Sequence, residues 1–241
     1  MTKITYDGVR LWEKFTIGNL RRPLPEFRPS MSEVQGADGM LFDGVTLGTR
    51  TVSFDIVAIA KNVNALQSAA RQIASIVSAR KPLELIIHDE RDDDGTQLVR
   101  YAVPTGTFDA DEFRKLGKWH LSFVQPDPYL YGKHRSVVMA ANVQKKIDAG
   151  GNAPAWPKAV SKPTGSSYTF EAVGGDHLTF KASFNGSRTL TLDASKQTAK
   201  LSGNLSSGDG LTVGSRFFPL EGKMTLTATR KTTVTWRERW I

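Results

Sequence analysis

Residues 126–128 constrain the fold of this chain more than any other stretch. They read Pro126-Asp127-Pro128 and follow a segment in which Trp119 and Phe123 share one face while polar residues alternate with them. This alternation predicts a half-buried strand. Each proline fixes φ and removes a backbone donor, so a sheet ladder cannot continue through the pair. We therefore predict two domains, residues 1–132 and 133–241.

Length and composition are consistent with two ordinary folded domains. The chain has 241 residues, 39% of them apolar, whereas one domain usually has about 100–150 residues. No apolar run of about 18 residues exists, and the first residues lack the apolar core of a signal peptide. We expect that the protein is synthesised in a cytoplasm and does not associate with a membrane. The absence of cysteine excludes disulfides, thiolate metal sites and cysteine nucleophiles.

The charge is distributed unevenly between the two predicted domains. Residues 1–132 carry 16 basic and 17 acidic side chains, and residues 133–241 carry 16 and 7. The first domain is therefore close to neutral and the second is basic. Because the basic residues are scattered singly, the pattern favours a solvated face, or one complementary to an acidic partner, over a nucleic-acid site.

The first domain is predicted to be an antiparallel β-sheet with one helix. A hairpin is expected around Asp7-Gly8, and residues 18–31 are expected to be extended with few internal hydrogen bonds because they are rich in proline. Residues 51–60 form a strand with apolar residues on both faces at its far end. Apolar residues at helical spacing predict a helix over about 62–79. Its predicted core stripe is Val63, Leu66, Ala70, Ile73 and Val77.

The second domain is predicted to be a β-sandwich. Residues 137–165 have no regular pattern, and short alternating runs then recur about every ten residues from 168 to 236, including 211–213 and 216–220. The fold class is thus mainly β with one helix.

No residue pattern indicates catalysis, a metal site or a cofactor. The four histidines are widely spaced. The acidic loop Asp89–Gly95 partly matches a calcium-binding loop, but Tyr101 stands where the bidentate carboxylate is needed, so a solvated hairpin loop is favoured. Trp236 and Trp240 could stack on sugar rings if exposed, although a terminal strand docked in the core or an interface is the commoner explanation.

Several motifs, in this order, resemble the siphovirus distal tail protein (Dit) family. They are the glycine-punctuated segment 36–48, the helix over 62–79 followed by a strand from Pro82, and the stretch Phe123–Gly132. The last of these matches a pattern in which an aromatic residue is followed, after three residues, by Asp-Pro-Tyr-x-Tyr-Gly. A Gly-Asn-Ala-Pro-Ala-Trp-Pro segment then leads into the sandwich.

The resemblance implies a structural role in a virion. Members of this family form a homo-hexameric ring at the distal end of a long non-contractile tail, with a galectin-like C-terminal domain that points outward. The ring would contact the tail tube protein, the tail-tip hub protein and receptor-binding or fibre proteins. Genomic DNA would pass through its lumen without specific binding.

The resemblance also suggests roles for two groups of residues. The predicted interdomain junction comprises Trp119, Phe123, Pro126, Asp127, Pro128, Tyr129, Tyr131 and Gly132. The predicted inter-subunit contacts are Arg21, Arg22, Pro23, Phe27, Arg28, Val57 and Ile59.

Two other functions are compatible with the sequence. The first is a soluble carbohydrate-binding β-sandwich that recognises cell-surface glycans. The second is a glycoside hydrolase, which would need two carboxyl groups about 5–10 Å apart in a cleft.

Overall fold

The chain forms two compact units, residues 1–130 and 131–240, in a computed structural model. The structure describes residues 2–36, 38–106, 110–113, 115–202 and 210–241, with only the backbone described for 110–113. The division between Leu130 and Tyr131 falls inside the stretch predicted as the junction. Each unit is described by itself below.

The N-terminal unit contains ten strands, one α-helix and a short 3-10 turn at Leu11–Glu13 among its described residues. The strands are β1 (Ile4–Tyr6), β2 (Val9–Arg10), β3 (Thr16–Arg21), β4 (Phe27–Glu33), β5 (Met40–Leu47), β6 (Arg50–Ile59), β7 (Leu83–Ile87), β8 (Arg100–Thr105), β9 (Ala110–Phe113) and β10 (Leu116–Gln125).

Most of these strands form one antiparallel sheet. Its order is β2-β1-β7-β8-β10-β6-β3, and β9 pairs with the first half of β10. The longest ladder joins β10 to β6 over ten residue pairs, from Leu116 opposite Ile59 to Gln125 opposite Arg50. Alternation along this ladder directs Phe54 and Phe123 into the core, where their rings stack at 5.6 Å.

The helix α1 (Val63–Val77) covers the apolar face of this sheet. It begins at Asn62, whose side-chain oxygen accepts a hydrogen bond from the Ala65 backbone N–H at 2.8 Å. Leu66 and Ile73 are buried in the core, and Ala70 and Val77 are half-buried against it. Val63 is 56% exposed, so its predicted place in the core stripe is wrong. It lies in the first turn of the helix, three residues before Leu66, the first buried residue of the helix.

The C-terminal unit contains nine strands among its described residues. They are β11 (Leu130–Met139), β12 (Lys145–Asp148), β13 (Lys158–Ser161), β14 (Thr164–Ala172), β15 (His177–Asn185), β16 (Leu190–Asp193), β17 (Thr198–Leu201), β18 (Lys223–Ala228) and β19 (Thr232–Trp240).

These strands form the predicted β-sandwich. One sheet has the order β11-β19-β13-β16-β17 and the other β12-β18-β14-β15. Inward-facing residues of both sheets make a single core, in which Phe170 stacks on Phe218 at 5.2 Å and Tyr168 is fully buried. The fold class, mainly β with one helix and a sandwich, is therefore confirmed.

Some local predictions for this unit are wrong. The segment 137–165, predicted to be irregular, contains β12, β13, the last three residues of β11 and the first two of β14. Conversely, residues 211–213 and 216–220 form no strand and make only the isolated bridges of Leu211 with Phe180 and of Leu220 with Ala155. Whether these segments form strands depends on the strands available to pair with them, and the periodicity of the sequence does not show these partners.

Within the described residues, no helix has both the length and the apolar character needed to cross a membrane.

Candidate assembly interface

A two-stranded ribbon in the N-terminal unit presents an uncovered apolar face. β4 and β5 pair only with each other among the described strands. Ladder partners share a face, and one face carries the paired residues Phe27 and Leu47, Pro29 and Val45, Met31 and Phe42, and Glu33 and Met40. All of them are exposed except the half-buried Leu47, and Phe42 is 63% exposed. The other residues that the structure describes leave this face open to solvent.

A β-bulge brings Val45, Phe42 and Met40 of β5 onto the same face of the ribbon. The register shifts between Ser30 and Met31, so Asp43 is the extra residue of β5. Without the shift, Phe42 and Met40 would point to the opposite face from Val45. Asp43 instead accepts a hydrogen bond from the Ser32 hydroxyl on the opposite face, called the polar face below, which carries Arg28, Ser30 and Thr46 and also the exposed Leu41.

The base of the ribbon is closed by a compact polar contact. The Gly48 backbone N–H donates to the Glu26 carbonyl at 2.7 Å, and Arg28 donates to the Glu26 carboxylate from both Nε and Nη2, at 2.9 and 2.7 Å. A Cβ on Gly48 would lie 2.8 Å from Glu26 Oε2. The small residue at this position therefore lets the ribbon close.

A second exposed apolar surface lies at one end of the β6–β10 ladder. Ile59 is 85% exposed and pairs with Leu116, which is 44% exposed. Val57 lies two residues before Ile59 on the same face and is half-buried. We call Val57, Ile59 and Leu116 the ladder-end patch.

The remainder of this sheet face is polar, with one buried carboxylate. Asp55 accepts hydrogen bonds from Asn19 Nδ2 at 2.6 Å and His120 Nδ1 at 2.8 Å, and it lies 3.1 Å from Lys118 Nζ. Burial opposes ionisation, but these three donors outweigh it and lower the pKa of Asp55 to about 2. The basic side chains on this face are thus matched by a charged carboxylate.

The predicted inter-subunit residues differ in availability. Phe27 and Ile59 are exposed, and Arg28 binds Glu26. Arg22 donates two hydrogen bonds to Asp89, at 3.0 and 2.9 Å, and Pro23 accepts one from Arg50 Nε at 2.7 Å. The remaining two, Arg21 and Val57, are exposed and half-buried respectively. Phe27 and Ile59 therefore stay the strongest candidates for contacts between subunits.

A buried ion-pair group, missed in the sequence, holds the acidic loop in place. Arg100 is fully buried and forms an ion pair with Glu90, which also lies 3.4 Å from Arg22. Burial lowers the pKa of Arg100 and of Arg50, and the mutual repulsion of these two guanidinium groups adds to the effect on Arg50. An arginine in an alternating strand gives no sequence signal of burial.

The acidic loop uses its carboxylates within the chain. Asp92 is buried, and its Oδ1 accepts hydrogen bonds from the Asp94 and Thr96 backbone N–H groups at 3.1 and 2.6 Å. Among the described residues, no three His, Asp or Glu side chains are grouped so that they could hold a metal ion. The loop is thus a folded hairpin connection.

The predicted junction residues fall on both sides of the division between the units. Trp119 and Phe123 lie in the N-terminal core. Asp127 Oδ1 accepts a hydrogen bond from the Tyr129 backbone N–H at 3.3 Å, and the Gln125 side chain donates to the Tyr129 carbonyl at 2.7 Å. This turn is also where exposed Pro126 and buried Pro128 lie.

On the other side, Tyr131 and Gly132 belong to the sandwich. Arg237 and Arg239 lie over the Tyr131 ring at 5.2 and 5.9 Å from its centroid. A Cβ on Gly132 would lie 2.9 Å from Glu238 Oε2, so this glycine permits close approach.

The C-terminal aromatic strand does not offer a sugar-stacking surface at Trp236. Its indole is buried in the sandwich core and donates to the Ala149 carbonyl at 2.8 Å. The docked-strand interpretation therefore holds for Trp236.

Comparison with known proteins identifies the family. Residues 13–125 match the phage tail protein RIFT-related domain, and residues 150–240 match the C-terminal domain of the siphovirus-type tail component. The two matches follow each other along the chain and occupy most of it. The chain belongs to the siphovirus distal tail protein family. It is a structural component of the phage tail, located in the virion tail, and it is not an enzyme.

Solved structures show that the fold extends over both units. The crystal structure of SPP1 Dit (gp 19.1), described as a paradigm of hub adsorption apparatus in Gram-positive-infecting phages, matches with a TM-score of 0.83 and 16% identity over 100% of both chains. A chain of the phage P2 baseplate in its activated conformation with Ca matches with a TM-score of 0.51 and 6% identity, over 98% of this chain and 97% of that one. A search of curated proteins finds no match.

Proposed function

We propose that this tail component is the subunit of a closed homo-hexameric ring at the distal end of a long non-contractile tail. The ring joins the tail tube protein to the tail-tip hub protein around a lumen wide enough for DNA. The observation that carries this proposal is the uncovered apolar face of the β4–β5 ribbon, together with the ladder-end patch.

These surfaces favour assembly on physical grounds. A two-stranded ribbon alone is marginally stable in water, and monomeric proteins rarely leave a large contiguous apolar patch exposed. A ring requires two different surfaces on each subunit, since every copy contacts the next one head to tail. The ribbon face and the ladder-end patch meet this requirement within one unit. The number six comes from the family resemblance.

The charge of the N-terminal region supports passage of DNA without specific binding. Residues 1–132 have one more acidic than basic side chain, and the exposed Lys118 and His120 both contact Asp55. A lumen that neutralised many phosphates would bind DNA instead of letting it slide. The lumen lining is expected to be neutral or acidic, and a pore-facing ring of uncompensated arginines or lysines would contradict this part of the proposal.

The other assignments complete the proposed role. The C-terminal sandwich is galectin-like and carries receptor-binding or fibre proteins, and the stretch Trp119–Gly132 fixes the direction of the chain between the two units. The protein is synthesised in the host cytoplasm and assembles into the virion at the tail tip.

Light scattering coupled to size-exclusion chromatography, followed by negative-stain microscopy, tests the ring directly. Six copies of the 26.5 kDa chain give a particle of about 160 kDa with a central hole. A protein that remains monomeric at every concentration, or that forms particles without a central hole, would contradict the proposal.

A further inference from the structure

We propose that the apolar face of the β4–β5 ribbon docks on the ladder-end patch of a neighbouring copy of this chain. This inference rests on the proposed function, because it specifies which two surfaces of the ring subunit meet. It commits to a second copy of the chain as the occupant of the ribbon face.

The ribbon face is large enough to mark an interaction site. Five of its side chains, Phe27, Met31, Met40, Phe42 and Val45, are each at least 50% exposed. Together they present roughly 500 Å² of apolar surface, at the upper end of the largest patches on typical monomers. Their neighbours in the ladder add to the same face.

The ladder-end patch is the complementary apolar surface. Ile59 is the most exposed large apolar side chain of the described N-terminal residues, and it lies directly across the ladder from Leu116. With Val57, these residues present roughly 250 Å² of apolar surface. The patch is aliphatic and lies on a sheet face, where the methionine side chains of the ribbon can adapt to it.

The ladder-end patch has about half the apolar area of the ribbon face, and the two together can be compared with the apolar part of a standard interface. Burying both would remove roughly 750 Å² of apolar surface from water. A standard interface buries about 1,600 Å² in total, of which about 56–65% is apolar. The two surfaces thus supply most of the apolar part of one such interface, with the surrounding polar residues providing the rim.

The charges at the edges of the two surfaces are opposite. The ribbon ends in the exposed acidic residues Glu33 and Asp38, and Asp43 lies along its polar face. The ladder-end patch is flanked by the exposed Lys61 and Lys115. Among the described residues, neither lysine and neither Glu33 nor Asp38 takes part in an ion pair. Complementary rims of this kind set orientation and suppress wrong pairings.

The contact is head to tail. The ribbon and the patch are different surfaces of the same unit, and their exposure shows that neither covers the other within one chain. When a ribbon occupies the patch of the next copy, its own patch remains open to receive another ribbon. Such a heterologous contact generates a ring if the rotation closes.

Thiol cross-linking tests the pairing, because the chain has no cysteine of its own. We would mix Phe42→Cys with Ile59→Cys in equal amounts and add a short bis-maleimide. The mixture should give a covalent dimer that contains one chain of each kind, whereas each variant alone should give at most background dimer. The matched control is Ser30→Cys with Ile59→Cys, since Ser30 lies on the polar face of the same ribbon. The control mixture should give at least tenfold less dimer.

A variant with both Phe42→Cys and Ile59→Cys tests closure. Head-to-tail contacts should give a covalent ladder that ends at six chains. Negative-stain microscopy of the uncross-linked single-cysteine proteins shows separately whether rings form.

The outcomes separate this inference from the proposed function. Rings without the Phe42–Ile59 cross-link, or an equal cross-link from Ser30→Cys, would overturn the pairing and leave the ring intact. Cross-linking of Phe42→Cys to itself would show a two-fold contact and would also overturn the pairing. The cross-link in open oligomers without rings would support the pairing and contradict the closed ring. The absence of both rings and cross-links would overturn both.

A charge exchange tests the rims independently. Lys61→Glu and Glu33→Lys should each raise the protein concentration needed for half-maximal assembly several-fold at low salt, and the double variant should return it towards the wild-type value. These effects should diminish at high salt, because exposed charges are screened. If the double variant assembles no better than the single variants, the two rims do not face each other.

Discussion

Asp55 and His120 lie directly opposite each other on the β6–β10 ladder and are joined by a hydrogen bond of 2.8 Å. The imidazole Nδ1 donates to Asp55 Oδ1, while Asn19 Nδ2 and Lys118 Nζ contact Oδ2. The pKa of Asp55 is therefore about 2 in the folded protein, despite its burial. This carboxylate stays charged where a free aspartate would begin to protonate.

The first prediction concerns the stability of the folded chain in acid. A depressed pKa in the folded state means that Asp55 stabilises the fold above its unfolded pKa of about 3.9 and that this contribution is lost as pH falls towards 2. Because His120 and Lys118 are half-exposed and screened by solvent, we expect about 1–2 kcal/mol from this group. Urea unfolding of the wild type and Asp55→Asn should differ by this amount at pH 6 and converge near pH 2.

Asp93→Asn is the matched control, because Asp93 is exposed in the acidic loop. Its unfolding free energy should follow that of the wild type across the same pH range. A constant difference between the wild type and Asp55→Asn from pH 6 to pH 2 would show that the charge of Asp55 is not the source of the stability.

The second prediction concerns the contact between the helix and the sheet. Ile73 is 2% exposed and lies in the N-terminal core. Ile73→Ala should reduce the free energy of unfolding by about 2–4 kcal/mol, because it removes buried methyl groups and leaves a cavity. Thermal unfolding measures the loss, and Gln72→Ala, at the adjacent exposed position, should leave the midpoint nearly unchanged. An unaltered midpoint for Ile73→Ala would contradict the packing of the helix.

The sequence predicts those parts of the fold that local patterns determine. The helix follows from its apolar spacing, with Asn62 as a capping residue and Pro82 beyond its end. The β1–β2 hairpin follows from Asp7-Gly8, where both residues adopt positive φ. The alternation of Trp119 and Phe123 predicts β10 and its buried face. In each case residues close in sequence decide the structure.

Features that depend on distant partners could not be predicted in this way. Pro23, Pro25 and Pro29 indicated a segment with few internal hydrogen bonds, yet residues 27–33 form β4, because an edge strand tolerates a proline whose missing donor would face solvent. The apolar ribbon face depends on the bulge at Asp43, which shifts the register. The burial of Arg100 depends on Glu90 lying beside it. Of the candidate interface, the sequence therefore identified Phe27 and Ile59 individually but not the surface around either residue.

The third prediction separates backbone strain from steric collision in the sandwich. Gly151 has φ of +76°, and a Cβ there would collide with the Arg239 carbonyl oxygen. Gly174 has nearly the same φ, +80°, but a Cβ would meet nothing within 4 Å. Gly174→Ala should therefore cost about 1 kcal/mol from backbone strain alone, and Gly151→Ala should cost about 3 kcal/mol or more. Denaturant unfolding of both variants measures the difference, and equal losses would show that β19 moves aside at no cost.

The fourth prediction concerns the buried ion pair of the N-terminal unit. Arg100 is fully buried beside Glu90, and Arg50 is buried nearby. Glu90→Gln keeps the size of the side chain but removes the anion, which leaves two buried guanidinium groups undercompensated. We expect a loss of about 3–5 kcal/mol, because a buried charge without its partner is strongly destabilising.

The companion variants decide whether this loss arises from charge. Arg22 also contacts Glu90 but is 38% exposed, so Arg22→Gln should cost about 1 kcal/mol or less. Adding Arg100→Met to Glu90→Gln should recover part of the stability, since an apolar side chain then replaces the unpaired cation. Urea unfolding of the three variants provides the comparison. If the double variant is less stable than Glu90→Gln alone, the unpaired charge of Arg100 is not the source of the stability lost in Glu90→Gln.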